Sequence, residues 1–162
     1  MRLKRWLGLT LILCAAACSP QSATGGTAAP AAANMVHPIS GLQIIPLTVT
    51  SRGKQHNFRV EVARSESEQA RGLMFRTAMG ADEGMIFPMN PPRRDAFWMK
   101  NTVIPLDIIF IGSDRRILNI AANAVPYDER PLPSAGPVSG VLELNGGRAA
   151  QLGIAPGDTV KW

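Results

Sequence analysis

Six consecutive residues, Leu106-Asp107-Ile108-Ile109-Phe110-Ile111, leave this chain little freedom in how it folds. Five are apolar, and the run lies between Pro105 and the turn Gly112-Ser113-Asp114. A run this short and this apolar is a central strand, buried on both faces or close to it. Such a strand needs neighbours, and the sequence supplies them. Leu47 to Thr50 and Phe58 to Val62 alternate apolar with polar about the turn Ser51-Arg52-Gly53-Lys54, which predicts an antiparallel pair. Met85-Ile86-Phe87 predicts a strand that Asn90-Pro91-Pro92 breaks, and Ala96 to Met99 begins another. Ile117 to Ala122 pairs back on the apolar run, Val138 to Leu144 is a further strand, and Thr159 to Trp162 closes the sheet.

Two short helices interrupt this pattern. Ser65 and Glu68 have capping-box spacing, and Gly72 is the expected stop, with Ala70, Leu73 and Met74 as the apolar face. Arg148 to Leu152 forms the second helix, ended by Gly153. Between Asn123 and Pro137 four prolines predict a long irregular loop. Many short strands with turns every ~8–12 residues predict a mostly β fold: a compact antiparallel β-sandwich or jelly-roll-like small barrel with one or two short helices.

The N-terminus reads as an address. Arg2, Lys4 and Arg5 precede the apolar stretch Trp6 to Leu13 and the small residues Ala15-Ala16-Ala17, so residues 1–17 are expected to be a secretory signal peptide. Ala15-Ala16-Ala17-Cys18 resembles the lipobox of bacterial lipoproteins, with Cys18 as the acylated residue and Ala15 where Leu is usual. Several acyl chains on Cys18 make a stable membrane anchor where one does not. Ordinary cleavage after the A-x-A site, leaving a soluble periplasmic protein, is the alternative. Ser19 after the Cys suggests the periplasmic face of the outer membrane. Residues 19–40 carry no charged side chain and are expected to be a flexible tether of about 25 Å r.m.s. reach, with His37 solvated within it. The folded domain is expected to span residues 41–162.

Several function classes are excluded. The formal charge is +5, from 17 basic and 12 acidic side chains. Without Arg2, Lys4 and Arg5, fourteen basic groups face twelve acidic ones, a net of +2, which is no basic nucleic-acid binder. Aromatics at 6% are too few for a base-stacking platform. Both cysteines, Cys14 and Cys18, precede the domain, so it has no disulfide, cysteine nucleophile or cysteine metal ligand. His56 is the only histidine of the expected domain, which excludes a multi-histidine zinc site. No phosphate-binding glycine loop is present, and no cofactor is expected.

The residues left to carry chemistry are few. Phe97-Trp98-Met99-Lys100-Asn101-Thr102 hands an apolar triplet to an ammonium and an amide, a composition suited to a pocket edge or, equally, to a core strand ending in solvent. Arg71 and Arg76 flank Gly72-Leu73-Met74-Phe75 and could clamp a carboxylate or phosphate, or pair internally with Glu66 or Asp82. Asp107 interrupts the apolar run and must be paired, by Lys100, Arg71, Arg76 or loop amides. Glu143 could face water, or converge with Asp107 as an acid/base pair. Met74, Met79, Met85, Met89 and Met99 crowd into 26 residues, either as core filler or as a soft Cu(I) site.

Five segments together resemble one family. They are Ala70 to Arg76, Asp82 to Phe87, Phe97 to Gly112, Val141 to Gly147 and Leu152 to Val160. They are similar, in order and over nearly the whole domain, to the bacterial and archaeal family catalogued as domain of unknown function 192. Gly146-Gly147 stands where Ala-Gly is usual. The resemblance implies a compact, mostly β domain of jelly-roll-like type, and many relatives that look secreted or tethered. It implies no activity and supplies no catalytic residues.

The leading expectation is a tethered envelope module that binds a small polar or anionic ligand through Arg71, Arg76, Trp98, Lys100, Asn101 and Asp107. The alternatives are an envelope glycan hydrolase or lyase using Asp107 and Glu143, an accessory subunit that binds an envelope protein, and the methionine copper site.

Overall fold

The computed structural model describes residues 35–162. The expected signal peptide, the acylation site Cys18 and the tether as far as residue 34 lie outside the described residues.

The central strand forms as its composition requires: all six residues of Leu106–Ile111 are buried. In chain order the elements are β1 (Ile44–Ser51), β2 (Lys54–Val62), α1 (Glu66–Arg71), β3 (Glu83–Arg93), β4 (Ala96–Phe97), β5 (Leu106–Ile111), β6 (Ile117–Ala124), β7 (Leu132–Pro133), β8 (Val138–Asn145), α2 (Arg148–Leu152) and β9 (Thr159–Lys161). Seven strands make one sheet in the order β6-β5-β8-β3-β2-β1-β9, and β4 with β7 make a second, two-stranded sheet. The fold is mostly β with two short helices, as the sequence predicts. The ends of the large sheet touch at a single bridge, Arg116 to Thr159, but no ladder closes it into a barrel.

The hairpin β1–β2 turns on Arg52 and Gly53, both at positive φ, and sets Leu47 opposite Phe58. Pairing is antiparallel throughout the large sheet except between β2 and β3, which run parallel from Arg59 opposite Glu83. Helix α1 crosses between them and begins in the predicted capping box, with Glu68 NH on the Ser65 hydroxyl and the Glu68 carboxylate on the Ser65 NH. These backbone bonds hold the Glu68 carboxyl below its ordinary pKa. Asn90-Pro91-Pro92 does not break β3. The strand stays extended to Arg93, and only its pairing with β8 is interrupted, between Pro88 and Arg93.

Apolar side chains fill both faces of the large sheet. Val49, Val60, Ile86, Ile109, Ile111 and Leu142 belong to one core cluster, completed by Ala149 of α2 and Ile154. Met85, Phe87, Ile108, Phe110 and Val141 belong to the other, completed by Leu73, Met99 and Val138.

Residues 35–40 contact the β-rich body. Val36 bridges Gln43, and the NH of Ile44 donates to the Met35 carbonyl. His37 is not solvated: its side chain is 14% exposed and lies against Glu61 and Arg76. Among the described residues no helix is long and apolar enough to cross a membrane.

Candidate functional site

Helix α1 stops at Gly72, whose φ of +47° is strained for any residue with a side chain. The chain therefore turns sharply beside β3 and leaves a recess. Its walls are Leu73 and Met74, Phe87 and Met89 of β3, and Ala96 and Phe97 of β4. Phe97 is held edge-on between Phe87, at 5.0 Å between centroids, and Phe110, at 6.1 Å. The resulting pocket has a volume of about 230 Å³.

Two cations line it, Arg71 from the last turn of α1 and Lys100 from the loop after β4. The Lys100 ammonium lies 5.1 Å from the centre of the Trp98 ring, which is half exposed. Neither cation makes a salt bridge among the described residues. The loop that presents Lys100 is fixed on both sides. Met99 is fully buried and its NH donates to the Asp128 carbonyl, while Thr102 is buried and its NH donates to the Met99 carbonyl.

Glu143 also lines the pocket. Its position on β8 pairs with Ile108 on one side and Met85 on the other, between two apolar neighbours. The residue is 5% exposed, and its Oε2 has no hydrogen-bond partner. Burial alone pushes its pKa up to about 8, so the carboxyl is protonated at neutral pH. An orphaned buried polar atom facing a cavity is the kind of group a ligand satisfies. Asp95 is a second carboxylate in the lining, already paired with Arg93 at 3.2 Å.

The structure brings together Arg71, Trp98, Lys100 and Glu143, and it separates the rest. Asn101 is not in the lining; its amide lies 3.8 Å from the Met74 sulfur and its carbonyl accepts from the Phe75 NH. Arg76 points away and is consumed in a buried pair with Glu61, at 2.9 and 3.1 Å, on which the Ser40 hydroxyl also converges. Asp107 is not in the pocket either. Its Oδ1 accepts from the NH of Asn123 and of Gly147, and its Oδ2 from the NH of Ala149. Helix α2 has no side-chain cap of its own, and Asp107 caps it from β5. The expected pairing of Asp107 with Lys100, Arg71 or Arg76 gives way to loop amides.

Of the five clustered methionines, Met74 and Met89 line the pocket. Met85 and Met99 are fully buried core residues and Met79 packs against the same cluster. No group of three or more His, Cys, Asp or Glu side chains suited to a metal occurs among the described residues.

Sequence reasoning missed the burial of Glu143. The segment Val141-Leu142-Glu143-Leu144 is apolar on both faces, as Leu106 to Ile111 is, and marks a second central strand. It also missed Gln69, whose amide joins the Ala63 and Pro88 carbonyls beneath the recess.

A mixed, mostly β sheet with a lateral pocket beside its first helix is the class of protein that emerges. The chain belongs to the family DUF192, described as an uncharacterised ACR, whose model matches residues 47–162. A crystal structure of a protein of unknown function from Novosphingobium aromaticivorans is 67% identical, covering 82% of this chain and 94% of its own, with a TM-score of 0.79. A candidate transcription regulator from Sinorhizobium meliloti is 41% identical, covering 74% and 94%, with a TM-score of 0.72. None of the curated proteins matches.

Proposed function

We propose that this protein is a lipid-tethered binding module of the cell envelope, anchored through Cys18 at the periplasmic face of the outer membrane, that takes a small anionic ligand. The observation that carries the ligand reading is the unpartnered Glu143 Oε2 on a pocket that also holds two unpaired cations. A neutral carboxyl donates one hydrogen bond, so it suits a carbonyl, ether or hydroxyl oxygen. Arg71 and Lys100 suit a carboxylate or phosphate on the same molecule. The walls of Phe87, Phe97, Leu73 and Met89 suit a compact apolar or ring-shaped body, and Trp98 a stacked ring. A volume of about 230 Å³ suits a small organic acid or a single sugar acid, not a dinucleotide.

The paired-carboxylate hydrolase has less behind it, because Asp107 caps a helix and faces away from Glu143. The Sinorhizobium relative is described as a transcription regulator; the two helices of the described residues here are six and five residues long, too short to serve as a recognition helix.

A thermal-shift screen of the full chain at pH 6 against sugar acids, short dicarboxylates, aromatic carboxylates and phosphate tests the ligand reading. A saturable shift of several degrees supports it. A flat panel contradicts it.

A further inference from the structure

Phe75 and Tyr127 combine two features that each cost stability. Both are non-glycine residues with left-handed backbone, at φ +62° and +63°, where a bulky side chain is strained. Both are also exposed, at 64% and 61%, so no burial offsets the strain. The fold nevertheless fixes them side by side with the pocket loop. The Phe75 NH donates to the Asn101 carbonyl at 2.8 Å, and the Tyr127 NH to the Thr102 carbonyl at 3.2 Å. Asn101 between them is left-handed as well, at φ +53°. Trp98, half exposed, projects from the same loop.

This rim continues into a wider groove of about 760 Å³ that Phe75 shares with Ile39, Leu42 and Met74, with Arg71 common to groove and pocket. Ile39 is 77% exposed. Two of these exposed side chains, Ile39 and Phe75, thus line one groove, and Ile39 lies four residues from Met35, where the described residues begin. Only residues 19–34 separate Met35 from Cys18. Sixteen residues span at most about 55 Å when fully extended, so a chain anchored at Cys18 keeps the domain beside the membrane.

We infer that this face docks on the lipid surface to which the chain is tethered, with Phe75, Trp98, Tyr127 and Ile39 entering the headgroup region. Amphipathic rings favour that depth, and Arg71 and Lys100 add attraction for anionic headgroups. Arg130 neutralises Asp128 beside Tyr127, which leaves Glu129 as the loop's unpaired acid. Docking gives the anchored domain one orientation on the membrane. The inference rests on the tethering proposed above and not on the pocket's ligand, since neither Phe75 nor Tyr127 lines the small pocket.

The test uses the acylated chain that begins at Cys18, with vesicles of phosphatidylcholine and phosphatidylglycerol at 3:1, with and without brominated acyl chains. The chain processed at Cys18 has lost Trp6 and keeps Trp98 and Trp162, so subtracting the signal of Trp98→Phe isolates Trp98. The expected result is co-flotation of the chain and at least twofold quenching of the Trp98 component by brominated lipid. Phe75→Gly with Tyr127→Gly should abolish that quenching while the Tm holds or rises, because glycine relieves the left-handed strain. A chain that floats with Trp98 unquenched overturns the docking and leaves tethering intact; a chain that does not float overturns both. Quenching that persists in the double variant, or a Tm that falls by many degrees, overturns the assignment of the two aromatics.

Discussion

Asp107 and Glu143 sit one register step apart on neighbouring strands and project from opposite faces of one sheet: Asp107 pairs with Leu144, and Ile108 with Glu143. Two buried carboxyl groups that look interchangeable in sequence therefore live in unlike surroundings. Asp107 is saturated by three backbone NH groups and serves the fold. Glu143 has apolar neighbours and an empty Oε2, so it keeps its proton. One closes a helix and the other faces a pocket.

Asp107→Asn should destabilise the domain without altering the pocket. The amide leaves an NH2 against at least one of three backbone donors. The expected loss is about 2–4 kcal/mol, since hydrogen bonds to a charged group contribute about 1.5–3 kcal/mol each and a buried donor is orphaned. Urea unfolding measures it. A midpoint equal to the wild type would contradict the capping role.

Glu143 should set a pH dependence of stability. Its pKa rises from 4.5 to about 8 on folding. Between those values the folded state holds a proton that the unfolded state has released. Stability is thus greatest below pH 4.5 as far as this group is concerned, and falls through the window by about 1.4 kcal/mol per pH unit. Glu143→Gln removes the group and should flatten the Tm profile between pH 5 and 8 relative to wild type. Parallel profiles for the two proteins would show that Glu143 ionises normally.

Arg76→Ala should cost about 3 kcal/mol, because it leaves Glu61 buried without its guanidinium, with only the Ser40 hydroxyl and His37 beside it. Joint replacement, Arg76→Met with Glu61→Leu, should recover most of that loss. Chemical denaturation of the two variants beside the wild type reads this directly. A single variant as stable as wild type would mean that the pair contributes nothing.

Much of the fold was legible because it rests on local rules. The capping box at Ser65, the hairpin at Arg52-Gly53 and the double-faced burial of Leu106 to Ile111 follow from spacing alone. The parallel alignment of β2 with β3 was not legible, since strand order is decided by which apolar faces meet. The same holds for the site. Trp98, Lys100 and Arg71 stood out by composition, and the fold unites them. Glu143 could be placed only once β8 lay between β3 and β5. Arg76 looked like a twin of Arg71, but its partner Glu61 comes from β2, fifteen residues away. His37 was assigned to the tether because nothing local announces a contact with residues 61 and 76.

The most direct test of the central claim is the organic-anion panel measured side by side on the wild type and on Arg71→Ala/Lys100→Ala at pH 6. At a hundredfold excess over Kd a true ligand stabilises the wild type by about 2.7 kcal/mol. Loss of two charge-assisted contacts should weaken binding by roughly a hundredfold, at about 1.4 kcal/mol per tenfold. The account predicts a saturable shift in the wild type that nearly vanishes in the double variant. A panel that leaves the wild type unmoved, or a shift that survives both substitutions, would contradict it.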